Sequence, residues 1–196
     1  MTQLIFVIDP MCSWCWGFHP VIKELREYHS KDFQYSLVLG GLRTKGQMAW
    51  NDSNKKYLAQ NWHTVGKRTN QPFNFSLLNR EQFDYDTYPA CKAVVTVREL
   101  WGEDASFEYL ERIQEAFYKK NIDITLIENL VTYIDKDKEE FLIFYRSKRA
   151  EILMKHDFSK ARSMGANAFP SVVKIDKDGH MMCQNGYKTL DTILKF

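Results

Sequence analysis

Leu4-Ile5-Phe6-Val7-Ile8-Asp9-Pro10-Met11-Cys12-Ser13-Trp14-Cys15 runs from an unbroken apolar stretch through a proline turn into two cysteines three positions apart. Leu4–Ile8 has the length and β-branched, aromatic character of a strand covered on both faces. From Cys12 to about Ser30, Trp14, Phe18, Val21, Ile22, Leu25 and Tyr28 recur at helical spacing, with Pro20 expected to kink the helix. Phe33–Leu39 is a second strand that Gly40-Gly41 ends. The first forty residues are therefore expected to form a β-α-β unit with paired parallel strands.

The dithiol stands where that strand becomes a helix. Unpaired N–H groups and a partial positive charge at the first turn favour thiolate over thiol. The thiolate is the nucleophile of disulfide exchange. Cys12, at the end, is the expected exposed attacking sulfur. Cys15, one turn further in, is placed to resolve a mixed disulfide. Two other readings compete with this one. A zinc site needs four ligands, and Cys91, Cys183 and the five histidines show no second pair at ligand spacing, so no metal is expected. Two core cysteines that happen to lie three apart are the remaining alternative.

Composition narrows the class further. The 196 residues are 44% hydrophobic and 27% charged, enough apolar chain for a sizeable core and too much for disorder. A net charge of +2 gives no reason to expect a nucleic-acid or membrane-surface partner. Four cysteines are too few for a disulfide-built secreted scaffold. No segment reaches the roughly 18 apolar residues of a membrane span, and no basic, apolar leader precedes the first strand, so a cytoplasmic protein is expected.

From Thr44 the pattern turns helical. Asp52 or Ser53 is the expected cap of a helix bearing Tyr57, Leu58, Trp62 and Val65, which a polar stretch and Pro72 break. Pro89 starts a second helix, Phe107–Phe117 forms a third, and Thr125 with Glu128 reads as the capping box of a fourth. Phe141, Phe144, Tyr145 and Ile152 mark a fifth. A short helix at Ser159–Met164 is expected to end at Gly165. Ser171–Ile175, a turn at 176–179 and a return strand His180–Gln184 then form a hairpin, and a closing helix covers Thr189–Phe196. The expected organisation is a mixed sheet domain from residues 1–44 and 155–196, with a helical insertion over 45–154.

The motif Asp9-Pro10-Met11-Cys12-Ser13-Trp14-Cys15-Trp16-Gly17-Phe18, with Pro20 five positions after Cys15, resembles the DsbA-like branch of thioredoxin-fold proteins, specifically the group of predicted protein-disulfide isomerases. Gly165-Ala166-Asn167-Ala168-Phe169-Pro170-Ser171 resembles the loop that carries a cis-proline opposite the dithiol. Gly40-Gly41-Leu42-Arg43 and Tyr85–Cys91 also resemble family segments. The resemblance implies an α/β thioredoxin fold with a large helical insertion and disulfide oxidoreductase or isomerase activity, with Cys12 as nucleophile and Cys15 as resolving thiol. It also implies a cis Phe169-Pro170 bond that presents backbone to an extended substrate; a cis bond costs little before proline. Read without the resemblance, Pro170 is a trans proline opening an edge strand.

Two departures temper that expectation. The buried carboxylate that related proteins carry six positions before the first cysteine is Phe6 here, leaving Asp9 as the nearest acid, read as a helix cap. Ser13-Trp14 between the cysteines supplies no cation, so a milder oxidant, a reductase or an isomerase is expected. Of the apolar residues around the dithiol, Met11 and Trp14 are expected at the surface as substrate contacts with Phe169 and Pro170, and Trp16 and Phe18 in the core. His19 is a candidate proton shuttle or a plain surface histidine. Cys91 and Cys183 read as packing, Arg146, Lys148 and Arg149 as a solvated face, and Arg43 as a weak candidate for an anionic ligand. No resident cofactor is expected. Glutathione is a candidate redox partner, and a disulfide- or dithiol-bearing protein, peptide or small thiol is the expected substrate. The alternatives are a glutathione-dependent transferase or isomerase of the kappa-class type, whose relatives have serine where Cys12 stands, and a non-catalytic binding module.

Overall fold

The computed structural model describes residues 1–44 and 46–196; Lys45, where the sequence reading starts the helical insertion, lies outside the described residues. Strand β1 (Thr2–Ile8) leads through the dithiol loop into α1 (Ser13–Tyr28), and β2 (Phe33–Leu39) returns parallel to β1 in the register Thr2↔Phe33 to Ile8↔Leu39. After the helical block, β3 (Ser171–Ile175) pairs antiparallel to β1, and β4 (Met181–Asn185) pairs antiparallel to β3. The sheet order is β2-β1-β3-β4, and a short closing helix, α7 (Leu190–Leu194), follows.

The apolar run of β1 is buried on both faces. Leu4, Phe6 and Ile8 join the main core with Phe18, Ile22, Leu25 and Phe107, while Ile5 and Val7 pack with Ala161 and Met164 on the other side. Phe6 stacks on Tyr35 with ring centroids 5.9 Å apart.

The helical block comprises α2 (Asp52–Thr69), a 3-10 turn at Phe75–Asn79, α3 (Tyr88–Tyr118), α4 (Ile127–Thr132), α5 (Lys138–Tyr145) and α6 (Lys148–Ser163). Several boundaries differ from the sequence reading. Asn51 caps α2 in place of Asp52 or Ser53, its side chain accepting from the Asn54 N–H at 3.0 Å. The second and third expected helices are consecutive halves of α3, broken only where Gly102 takes φ 91°. The Thr125 hydroxyl and amide both go to Asp123 Oδ1, so no capping box forms and α4 starts at Ile127 without a side-chain cap. The expected fifth helix divides at Arg146-Ser147, because the Ser147 hydroxyl accepts from the Ala150 N–H and starts α6. Residues 159–163 are the last turns of that same helix, so the boundary drawn at residue 154 falls inside α6.

A buried polar junction ties this block to the sheet. Arg98 of α3 makes a two-pronged pair with Asp157 of α6, at 2.9 and 2.8 Å, and donates to the Leu37 carbonyl of β2. Asp157 also accepts the Leu39 N–H at 3.0 Å. Among the described residues, no helix is long and apolar enough to cross a membrane.

Candidate active site

Sheet pairing brings three loops to one end of β1. Ile8 is the last residue paired with β2, the Gly40 N–H donates to the Ile8 carbonyl at 2.8 Å, and Val7 pairs with Ser171, directly after Pro170. The dithiol loop, the double-glycine loop and the Phe169-Pro170 loop therefore meet at the N-terminus of α1.

Cys12 is the N-cap residue of α1 in extended conformation, and its carbonyl accepts the Trp16 N–H at 3.0 Å. Phe169-Pro170 is a cis peptide, and the Phe169 carbonyl oxygen accepts from Cys12 Sγ at 3.5 Å. The aromatic ring of Phe169 lies over Gly40 so closely that a Cβ on Gly40 would stand 2.1 Å from it. Glycine is needed there to let the ring approach, and the ring in turn fixes the carbonyl that faces Cys12.

Cys15 is buried behind Cys12, and the Asp9 N–H donates to its sulfur at 3.5 Å. Burial pushes the Cys15 thiol well above its ordinary range, and the neighbouring Cys12 sulfur adds to the rise. All four cysteines are free thiols.

The placement of the other expected site residues is mixed. Cys12 is only 5% exposed, not the open sulfur the sequence suggested; the Phe169 loop covers it, and it reaches outward through a cleft of about 100 Å³. Trp14, Ser13, Arg43, Leu58, Asn61 and Tyr85 are among the cleft's lining residues. Met11 is fully buried, contrary to its expected place at the surface, because Tyr85 pins its carbonyl with a 2.8 Å hydrogen bond and turns the side chain into the core. Trp14 is half-buried and packs against Tyr187. Phe169 is half-buried and Pro170 buried.

Asp9 does not cap α1. Its carboxylate accepts from the Met11 N–H at 2.9 Å and the Leu42 N–H at 2.7 Å, and the Cys91 thiol lies 3.5 Å away. It stitches the dithiol loop to the double-glycine loop, and burial raises its pKa. His19 is buried, so it is not a surface histidine; it stacks on Trp16 and stands 3.2 Å from Glu111, and neither partner is a sulfur. Cys91 is packed in the core as expected, and Cys183 is half-buried on β4.

Sequence reading missed the far wall of the cleft. Leu58 and Trp62 were visible as an apolar stripe of α2, but only the fold shows that they line the route to Cys12 together with Asn61. Tyr187, which packs on Trp14 outside this cleft, carried no local signal at all.

A mixed four-stranded sheet, a helical block between its second and third strands, and a dithiol at a helix start facing a cis-proline loop define a DsbA-like thioredoxin fold. The family model described as Thioredoxin matches residues 5–193, and the chain belongs to that family. A solved structure of a candidate protein disulfide isomerase from Nitrosomonas europaea is 28% identical, covers 99% of this chain and 94% of its own, and superposes with a TM-score of 0.89. The cytosolic disulfide reductase DsbM from Pseudomonas aeruginosa, also solved with GSH, is 23% identical over 93% of this chain and 88% of its own, with a TM-score of 0.76, and shares the fold. The ClpXP adapter protein SpxH of Bacillus subtilis is 26% identical over 175 residues, 87% of this chain, and the chain spans 57% of the length of that relative.

Proposed function

We propose that this protein is a thiol–disulfide oxidoreductase that works through Cys12 and Cys15. The observation that carries the reading is the contact between Cys12 Sγ and the Phe169 carbonyl, with Cys15 directly behind. In the reductive direction, the Cys12 thiolate attacks one sulfur of a substrate disulfide. The substrate S–S bond breaks, the departing thiolate takes up a proton, and a mixed disulfide joins Cys12 to the substrate. Cys15 then loses its proton and attacks Cys12 Sγ, forming the Cys12–Cys15 disulfide and releasing the second substrate thiol. Two electrons pass to the substrate, and an external thiol, with glutathione the candidate, returns them. The same steps reversed oxidise a dithiol.

The high pKa of Cys15 suits this order of events. A resolving thiol that stays protonated until the mixed disulfide forms does not compete as first nucleophile. The Asp9 N–H offers a hydrogen bond to the Cys15 sulfur as its charge develops. The half-buried Trp14 and the Phe169 backbone supply surface for a peptide substrate. The cytoplasm, with its thiol pool, is the proposed compartment.

Turnover of a fluorescent peptide disulfide with glutathione as reductant tests the reading. Cys12→Ser is expected to fall to the uncatalysed background, and Cys15→Ser to accumulate the mixed disulfide on Cys12, visible by mass. Full turnover by Cys12→Ser overturns it. The name of the SpxH relatives favours a second reading, an adapter that docks a protein partner. That role predicts partner binding that survives both serine substitutions.

A further inference from the structure

Two hollows flank the dithiol, separated by Trp14. The first is the cleft onto Cys12, where Arg43 is the one charged side chain among the described lining residues. The second is a shallower basin of about 380 Å³ formed by Trp14, Thr64, Arg68, Gly186 and Tyr187, in which Arg68 is likewise the one charge. Neither lining includes a carboxylate, and neither guanidinium has an acidic partner within 4 Å among the described residues. Arg26, Arg80, Arg98, Arg112 and Arg149 each have one, and the exposed Arg146 and Arg162, which also have none among the described residues, line neither hollow.

Both unpaired cations are seated on aromatic rings that touch the dithiol segment. The Arg43 guanidinium lies 5.1 Å from the Tyr85 ring, and Tyr85 donates to the carbonyl of Met11, next to Cys12. The Arg68 guanidinium lies 5.6 Å from the Tyr187 ring, which packs on Trp14 between the two cysteines at 5.8 Å. Ring contacts of this kind restrain a long side chain while leaving its N–H donors open to a ligand.

We propose that Arg43 and Arg68 are specificity residues that select disulfides with carboxylates on both sides of the reacting sulfur. This rests on the oxidoreductase reading and names its substrate class. A chain lying across Trp14, with its half-cystine at Cys12, places one acidic group toward Arg43 and another toward Arg68. An acidic protein segment and a glutathione mixed disulfide share this chemistry. Unpaired guanidiniums bind carboxylates by two parallel N–H···O bonds, and positive potential along the approach raises the encounter rate.

The test compares kcat/KM for mixed disulfides of one neutral fluorescent thiol with cysteine peptides flanked on both sides by Glu, Gln or Lys, and with glutathione. The Glu peptide is expected to lead the Gln peptide, with Lys last. Arg43→Gln and Arg68→Gln are each expected to shrink the Glu-to-Gln ratio roughly three- to fivefold, the size of an exposed ion pair. Raising salt to about 0.5 M is expected to compress it as well. A gain for the Glu peptide assigns the preference to protein segments, and a gain confined to glutathione assigns it to the small thiol. Equal rates across all peptides and glutathione overturn the proposal, as does an acidic preference unmoved in both arginine variants. Turnover of the Gln peptide reports on the dithiol by itself, so charge-blind turnover sinks only this inference, whereas turnover of none of the substrates sinks the parent reading too.

Discussion

The corner around Cys12 and the aromatic centre of the helical block are held together in opposite ways. At the corner, nearly every placement is a hydrogen bond to or from backbone. Asp9 holds Met11 and Leu42, Tyr85 holds Met11, the Asp9 amide reaches Cys15, and Phe169 meets Cys12. In the block, Trp62 packs against Phe73, Phe75, Phe117 and Tyr118 through ring faces and edges, with its own indole N–H unpaired. Directional bonds fix where a sulfur points, whereas ring packing supplies stability with little demand on direction. Damage to the block is therefore expected to register chiefly as lost folding free energy, with an added effect on access where Leu58 and Trp62 line the cleft, and damage to the corner chiefly as lost chemistry.

The largest expected effect is in the block. Trp62 is 1% exposed, so Trp62→Ala removes a buried ring and leaves a cavity that costs about 3–5 kcal/mol. Urea unfolding measures it, and a loss below about 1 kcal/mol would mean the ring cluster is not what holds the block. Arg98→Ala sharpens the contrast, because it removes a polar tie from outside the corner. It leaves the Asp157 carboxylate buried beside the Leu39 N–H with no cation, at a cost of about 3 kcal/mol. Per-turnover activity of the folded fraction is expected to stay near that of the parent in this variant.

Gly40→Ala reverses the balance. The added methyl must push Phe169 away, an overpacking cost of about 1–3 kcal/mol. The displaced carbonyl at Cys12 is expected to lower kcat/KM by roughly tenfold or more. A variant that loses stability and keeps full activity would show that the Phe169 carbonyl does not position the reaction.

The same contrast explains what the sequence disclosed. The dithiol half of the corner was readable because its parts are local: an apolar run, a proline turn and two cysteines at a helix start. The cis Phe169-Pro170 step facing it was implied only by the family resemblance, since the local reading makes Pro170 trans. The β1-α1-β2 unit and the hairpin followed from periods and turns, and Gly165 ends α6 at φ 78° as its position suggested. The block's caps were misread because its boundaries depend on which of several adjacent polar residues turns back on the chain. Asn51, not Asp52 or Ser53, does so, and Thr125 is captured by Asp123. Exposure failed as a local inference too. Met11 is buried because Tyr85, seventy-four residues away, holds its carbonyl, and Cys12 is shaded by a loop 157 positions distant. The Tyr187 and Arg68 side of Trp14 is likewise a product of long-range packing.

The smallest expected effect separates the two sulfurs of the corner themselves. The Cys15 thiol titrates well above the ordinary 9.0 because it is buried, and Cys91 does so for the same reason with Asp9 adding to it. Iodoacetamide at about pH 7.5 is therefore expected to modify Cys12 ahead of both in the folded, reduced protein, and all of them after unfolding. The sign for stability follows from the same rise. As pH climbs past 9.0 the unfolded chain releases the Cys15 proton first, so ionisation favours the unfolded state. The contribution is whole below that pH and is lost on the way up to the folded pKa. Urea midpoints at pH 7 and pH 10 are expected to fall less for Cys15→Ser than for the parent, since serine has no proton to lose in that range. An equal fall in both would place the alkaline loss elsewhere, and alkylation of Cys15 as fast as Cys12 at neutral pH would contradict the raised pKa that keeps the Cys15 thiol protonated.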